Sequence, residues 1–300
     1  MTWRPGRPTR CCVSTSLRTY IGQQTSQYLI RNVIYKQEYS LRDTVLRTLL
    51  FKFFNRVETW ELLEETLGDI CEDTFDICKI DVVLEKALRD KAPIYSAAYI
   101  MPSGSMAVRQ TRKHRMHLLL LARMLNENLS EKLAGAASMC DAFALLLSYP
   151  SIGPFLAYQF VTDLNYSHHF SFSEMEFVEP GPGARDGIRK CFSDLGDYNE
   201  ADAIRWVTER QEVEFKERGL AFESLWGRPL QLIDCQNLFC EVGKYARVAH
   251  PEALGRSGRV RIKQRFSPQQ LPPTAWFPPK WKLNTAGVAS TVSLIPARRG

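Results

Sequence analysis

The stretch "LRDTVLRTLLFKFFNRVETWELLEETLG", residues 41–68, constrains the fold more than any other. In it Leu46, Leu50, Phe53, Val57 and Trp60 step by four, three, four and three residues. That spacing lays an apolar stripe along a helix and does not fit a strand, whose faces alternate. A break near Asn55 makes two helices of it, and Gly68 is a stop. Helical patterning returns in "RKHRMHLLLLARMLNENL", with its basic start, and in "EKLAGAASMCDAFALLLSY", opened by Ser130. It returns again in "IRKCFSDL", "NEADAIRWVTERQEVEFKERGL" and "PLQLIDCQNLFCEVGKYARV". Asp81 is placed to cap a shorter helix, "VVLEKALRDK", which Pro93 ends. "APIYSAAYIMPSGS" reads as a connector with Tyr95 and Tyr99 exposed. Hairpin signals are scarce, so the expected class is all-α.

These patterns divide the chain into a poorly ordered segment 1–25, a helical domain 26–266 and a Pro-rich basic tail 267–300. The tail, with "LPPTAWFPPKW", is neither a regular helix nor a central strand. Charge is concentrated near that end. From Lys244 onward Arg247, Arg256, Arg259, Arg261, Lys263, Arg265, Lys280, Lys282, Arg298 and Arg299 are opposed by Glu252 alone. Such an end suits an anionic polymer, whose neutralised phosphates release counterions; it equally fits a solvated tail. The eight cysteines form no CxxC pair and no histidine stands at finger spacing, so no metal site is expected. "MHLLLLARML" falls short of the roughly 20 residues that cross a bilayer, and no secretory pattern opens the chain. An intracellular place, nuclear or cytoplasmic, follows, with no membrane partner.

Three local patterns carry chemistry. In "SYPSIGPFLAYQFVTDLNY" a tight corner joins two helical runs. Ile152 faces inward, Gly153 allows the turn, Pro154 takes the first helical position and Ala157 allows close approach. Ser151 stands where a helix-hairpin-helix usually has glycine, and serine tolerates positive φ poorly. Free amides at the start of the second helix would bind phosphate, although a plain αα-corner has the same signature. No glycosylase active-site sequence surrounds Glu174, Glu176, Glu179 and Asp186, which follow this corner.

The second pattern, "FVEPGPGARDGIRK", carries Gly181, Gly183, Arg185 and Lys190 before a helix. It reads as a phosphate cradle or as a surface loop. The third is "LIDCQNLFCEVGKYARV", where Asp234, Asn237, Glu241 and Lys244 share a helical face beside Gln236. That set suits acid–base work or contact with a base edge, and equally a salt-bridged surface. Its apolar neighbours Leu232, Ile233, Leu238, Phe239 and Val242 require the polar groups to be bonded or functional.

Together "SQYLIRNVIY", "LLFKFFNRVETW", "SYPSIGPFLAYQFVTDLNY", "PGPGARDGIRK", "GRPLQLIDCQNLFCEVGKYARV" and "RIKQRF" resemble the helical domain of the 5-hydroxymethyl-deoxyuridine DNA kinases. That group belongs with the α-glutamyl/putrescinyl thymine pyrophosphorylases, and its fold is similar to helix-hairpin-helix DNA glycosylases. The resemblance runs from about residue 26 to 266 and does not include the first 25 residues. It implies a DNA-binding transferase-type domain acting on a thymine-derived base, by phosphoryl transfer to the 5-hydroxymethyl group or pyrophosphate displacement from it. In that frame Ser151, Ile152 and Gly153 position the DNA backbone, and Gly181, Gly183, Arg185 and Lys190 lie near phosphate. Asp234, Gln236, Asn237, Glu241 and Lys244 face the base, which is expected to be flipped or unstacked. No GxxxxGK[ST] occurs in the chain, so a nucleotide triphosphate enters only with a separate kinase module as partner. The competing expectations are a non-catalytic DNA-binding module and a helical scaffold for protein partners.

Overall fold

The computed structural model describes residues 2–3, 24–97, 99, 101–102, 112–220, 228–253, 255 and 276–284. Helix α1 (Gln24–Tyr28) runs into a π-helical turn, Leu29–Ile34. Helix α2 (Leu41–Phe54) starts at Ser40, whose hydroxyl accepts the Asp43 amide, and ends where Asn55 turns left-handed at φ 49°. Helix α3 (Val57–Leu67) stops at Gly68, so both expected breaks occur where the sequence places them. The stripe is buried: Leu46 and Leu50 are 0% exposed, Phe53 and Trp60 1%. But α2 shows more than a stripe, since every residue from Thr44 to Phe54 is buried. It is the central helix, surrounded by the π-turn and by α5 (Lys113–Asn126), α6 (Leu129–Ala134) and α8 (Pro154–Leu164).

Several expected boundaries move. Helix α4 (Ile77–Arg89) is capped by Asp76, which accepts the Cys78 and Lys79 amides. Asp81 lies one turn inside, where it bonds His114 and Arg115 of α5 rather than capping anything. Ser130 is buried within α6 rather than opening a long helix. Gly135 ends α6, and Ser138 caps a separate α7 (Met139–Leu147) through the Asp141 amide. Tyr95 and Tyr99 are half-buried, not exposed. The Tyr95 phenol meets Nδ1 of His117 at 2.8 Å, and its ring packs on Phe54.

Beyond α8 come α9 (Pro182–Cys191), α10 (Glu200–Glu209), α11 (Gln211–Glu217) and α12 (Leu232–Ala249). The expected helix "IRKCFSDL" thus begins earlier and ends at Cys191. Phe192–Asp194 turns extended as β2 and pairs antiparallel with β1 (Thr2–Trp3). "NEADAIRWVTERQEVEFKERGL" divides into α10 and α11 at Arg210. Apart from that short ladder the regular elements among the described residues are helices, in keeping with the all-α expectation.

Among the described residues helices α9 and α12 form the most extensive helix contact, and glycine is the reason. A Cβ on Gly187 would lie 1.8 Å from the Phe239 carbonyl oxygen, and one on Gly183 would lie 2.4 Å from Cys240 Sγ. Lys190, 8% exposed, locks the contact by donating to the Gly243 carbonyl at 3.1 Å and pairing with Asp186 at 3.5 Å. Cys71, Cys78, Cys140, Cys191, Cys235 and Cys240 are free thiols, and burial pushes Cys191 and Cys235 up to about 12. Among the described residues no helix is long and apolar enough to cross a membrane. Of the tail, residues 276–284 are described; they hold a single 3₁₀ turn, Pro279–Trp281.

Candidate functional site

The corner between α7 and α8 is open. Ile152 packs inward at 4% exposure, while Gly153 and Pro154 are exposed. Ser151 takes the left-handed turn at φ 66°, although it is not glycine. Gly153 is extended, and a Cβ there would meet nothing within 4 Å. No side chain caps the start of α8. The contrast with α7 is direct: Ser138 serves its start, and Glu176 accepts the Met139 and Cys140 amides at 2.9 and 3.0 Å. An uncapped helix start leaves amide donors and the positive end of the helix dipole facing outward.

From that start one face of α8 descends as Phe155, Gln159 and Asp163, one turn apart. Phe155 stacks on Tyr99, with ring centroids 5.6 Å apart and planes at 10°. Gln159 is 4% exposed, and its Nε2 has no hydrogen-bond partner among the described residues. Asp163 pairs with Lys52 of α2 at 3.0 Å; both are buried. Lys52 also donates to Asn55 Oδ1 at 2.9 Å and lies 4.8 Å from the Tyr99 ring centre. Burial raises the Asp163 carboxyl above its ordinary range, and the Lys52 ammonium opposes that rise.

The start of α9 abuts the same place. A Cβ on Gly181 would strike the Phe155 ring at 2.5 Å, and the Gly181 amide donates to Gln236 Oε1 at 3.2 Å. Gln236 in turn donates to Asn237 Oδ1 at 2.5 Å, leaving Asn237 Nδ2 without a partner among the described residues. Asp234, on the first turn of α12, accepts the Gln231 amide at 2.9 Å. Arg228 joins it to Glu174: Nη2 lies 2.7 Å from Glu174 Oε1, and Nη1 lies 3.8 Å from Asp234 Oδ2. Glu174 Oε2 is buried and accepts no hydrogen bond among the described residues. Burial pushes the Asp234 carboxyl up to about 6 against the pull of Arg228. The Tyr166 hydroxyl is raised far above its usual range, first by burial and then by the negative charge of Asp163, Glu174 and Asp234. Asp163 with Lys52, and Glu174 with Arg228 and Asp234, are thus two buried charged groups that both act on Tyr166.

The structure brings Asp234, Gln236, Asn237 and Gly181 together there. It places Glu241 and Lys244 on the flank of α12, paired with each other at 2.5 Å. Gly183 faces Cys240, and Lys190 is enclosed between α9 and α12. Arg185 folds back on the Pro180 carbonyl at 2.9 Å and on Glu179 at 3.1 Å. Lys52, Gln159, Asp163, Glu174 and Arg228 are absent from the sequence-derived site. Charges inside the apolar runs "LLFKFF" and "FVTDL" are the signal that marks the first ion pair, because a charge on a buried face needs a partner. Elsewhere Asp81, Glu85 and His114 bring ligand-type atoms within 4.8 Å of one another, as a metal site would. Arg115 and Arg112 already occupy those carboxylates, at 2.8 Å from Asp81 and 3.0 Å from Glu85, and the cluster ties α4 to α5.

The fold and site define a helical protein with a charged interior behind an open helix start. The chain belongs to the family described as "5-hmdU DNA kinase, helical domain", which matches residues 21–255. It is similar to the "5-hmdU DNA kinase" of Bacillus phage SP10, 22% identical over 216 residues, covering 67% of this chain and 33% of that protein. The chain thus spans about a third of the length of that relative. No solved structure matches it.

Proposed function

We propose that this protein binds DNA through the open α7–α8 corner and takes a thymine-derived base toward the charged interior for modification at its 5-hydroxymethyl group. One observation carries the reading: a single helix, α8, presents an uncapped amide end, then the Phe155 ring, the Gln159 amide and the Asp163 carboxylate at successive turns. These are the groups that hold a phosphate, stack on a base and bond its edge. Family membership supplies the substrate class. Used in this way, Ser151, Ile152 and Gly153 form a helix-hairpin-helix contact of the kind found in DNA glycosylases. Asp234, Gln236 and Asn237 form the far wall, and Asp163 is the carboxylate on the base side. Phosphoryl transfer would draw its nucleotide from a separate kinase module, and pyrophosphate displacement is the other transferase chemistry the site would serve.

A non-catalytic DNA-binding module is the second reading. It is favoured by α9, whose Gly183 and Gly187 are explained by contact with α12. The test is binding to duplexes with and without 5-hydroxymethyluracil at two salt concentrations. A preference for the modified duplex, lost in Asp163→Asn while the salt dependence persists, supports the first reading. Equal, weak binding to both duplexes overturns it. Mass analysis of nucleosides after incubation with ATP and a kinase module separates enzyme from module.

A further inference from the structure

The chain returns over its own interior near the C-terminal end. The Trp276 amide donates to Gln27 Oε1 at 2.7 Å, and Phe277 is buried. Lys280 donates to the Phe170 carbonyl at 2.9 Å and to that of Asn165. These bonds set the Trp281 ring in a slot. The Arg228 guanidinium carbon lies 3.9 Å from the ring centre, and Tyr166 meets the ring edge-on at 5.7 Å and 86°. Arg228 is not a loose cation there. Glu174 and Asp234 hold it by its edge, which fixes the guanidinium plane that the indole covers.

We propose that the Arg228–Tyr166 slot is a binding subsite for a nucleobase, and that Trp281 is its built-in plug. A fixed guanidinium plane with an aromatic wall stacks any flat π-ring, and a base has the same flat face as an indole. The segment Trp276–Asn284 holds the plug through a few hydrogen bonds and the buried Phe277 ring, and it belongs to no long helix or sheet. A base entering the charged interior would displace Trp281 and take its place on Arg228. The proposal rests on the DNA reading for the source of the base, but the slot is testable without DNA.

Trp281→Gly opens the slot, and indole and thymidine are the probes, titrated by calorimetry or saturation-transfer NMR. The expected result is that both bind W281G in competition, at least about fivefold more tightly than they bind the wild-type chain. Adding Arg228→Lys, which keeps the charge and removes the plane, should abolish the gain for both. Lys280→Ala, which only unfastens the strap, should give a smaller gain for thymidine and serves if W281G fails to fold. W281G that binds indole but not thymidine, or neither, overturns the proposal, as does K280A without gain should it be the variant that folds. Thymidine bound by W281G alongside a wild-type chain that binds no DNA would leave the slot standing and remove the DNA reading. DNA binding without thymidine binding would do the reverse.

Discussion

Helix α2 buries two cations five residues apart, and the protein treats them differently. Arg47, 0% exposed, donates to the Val33 and Ile70 carbonyls at 2.8 Å each and to Asp69 and Glu64 at 3.1 Å each. Its guanidinium also lies 4.0 Å from the Tyr39 ring centre and 5.0 Å from that of Trp60. Lys52 instead meets Asp163, Asn55 and the Tyr99 ring, one helical turn from Gln159, whose Nε2 lacks a hydrogen-bond partner among the described residues. The first cation ties the π-turn, α2 and the loop after α3 together. The second pairs with a carboxylate one turn from an amide that has capacity left for a ligand. Buried polar groups cost free energy unless satisfied; every nitrogen of Arg47 is used, whereas Gln159, one turn from the partner of Lys52, keeps an unused amide.

This distinction can be broken experimentally. Arg47→Met should cost about 3–5 kcal/mol, because it strands the Val33 and Ile70 carbonyls and takes the buried cation from Glu64 and Asp69, which keep only Lys36, Gln37 and Tyr39. Urea denaturation measures it. Lys52→Met should cost about 3 kcal/mol by leaving Asp163 uncompensated. The double replacement Lys52→Met with Asp163→Leu should return to within about 1 kcal/mol of the parent and still fail to bind modified DNA. A double variant as damaged as R47M would erase the difference between the two cations.

The pH dependence of stability sharpens the same point. The Asp234 carboxyl titrates near 6 in the folded protein, above its unfolded value, so the folded state binds the extra proton. Its contribution favours the fold at low pH and is lost as pH rises from about 4 to about 6, by ~2–3 kcal/mol. Asp234→Asn should remove that loss, seen as a smaller fall of unfolding free energy relative to wild type across this window. A profile for D234N parallel to wild type would place Asp234 in a satisfied environment like that of Arg47. The smallest effect is expected at the corner. Ser151→Gly should stabilise by about 1 kcal/mol by relieving the left-handed φ, read as a rise in melting temperature.

Much of this architecture is legible in the chain itself. The spacing of Leu46, Leu50, Phe53 and Trp60, the stop at Gly68 and the Gly153–Pro154 start of α8 are local signals, because capping and periodicity act over a few residues. Asp234, Gln236 and Asn237 were legible too, as polar residues embedded in an apolar helix. Helix starts with competing caps were less so: Asp76 caps α4 while Asp81 is drawn to His114 and Arg115, and Ser138 caps α7 while Ser130 is buried in α6.

The helical class, the sharp turn at Ser151–Pro154 and the embedding of Asp234, Gln236 and Asn237 in apolar residues are each written in contiguous positions. Packing settles that the corner is exposed, that Glu241 and Lys244 lie apart from Asp234, and which charges meet. Asp163 finds Lys52 across 111 positions, Arg228 joins Glu174 to Asp234, and Lys280 reaches back to Asn165 and Phe170. Ion pairs and ring contacts depend on distance in space, and no periodicity along the chain encodes the partner that packing brings within 4 Å.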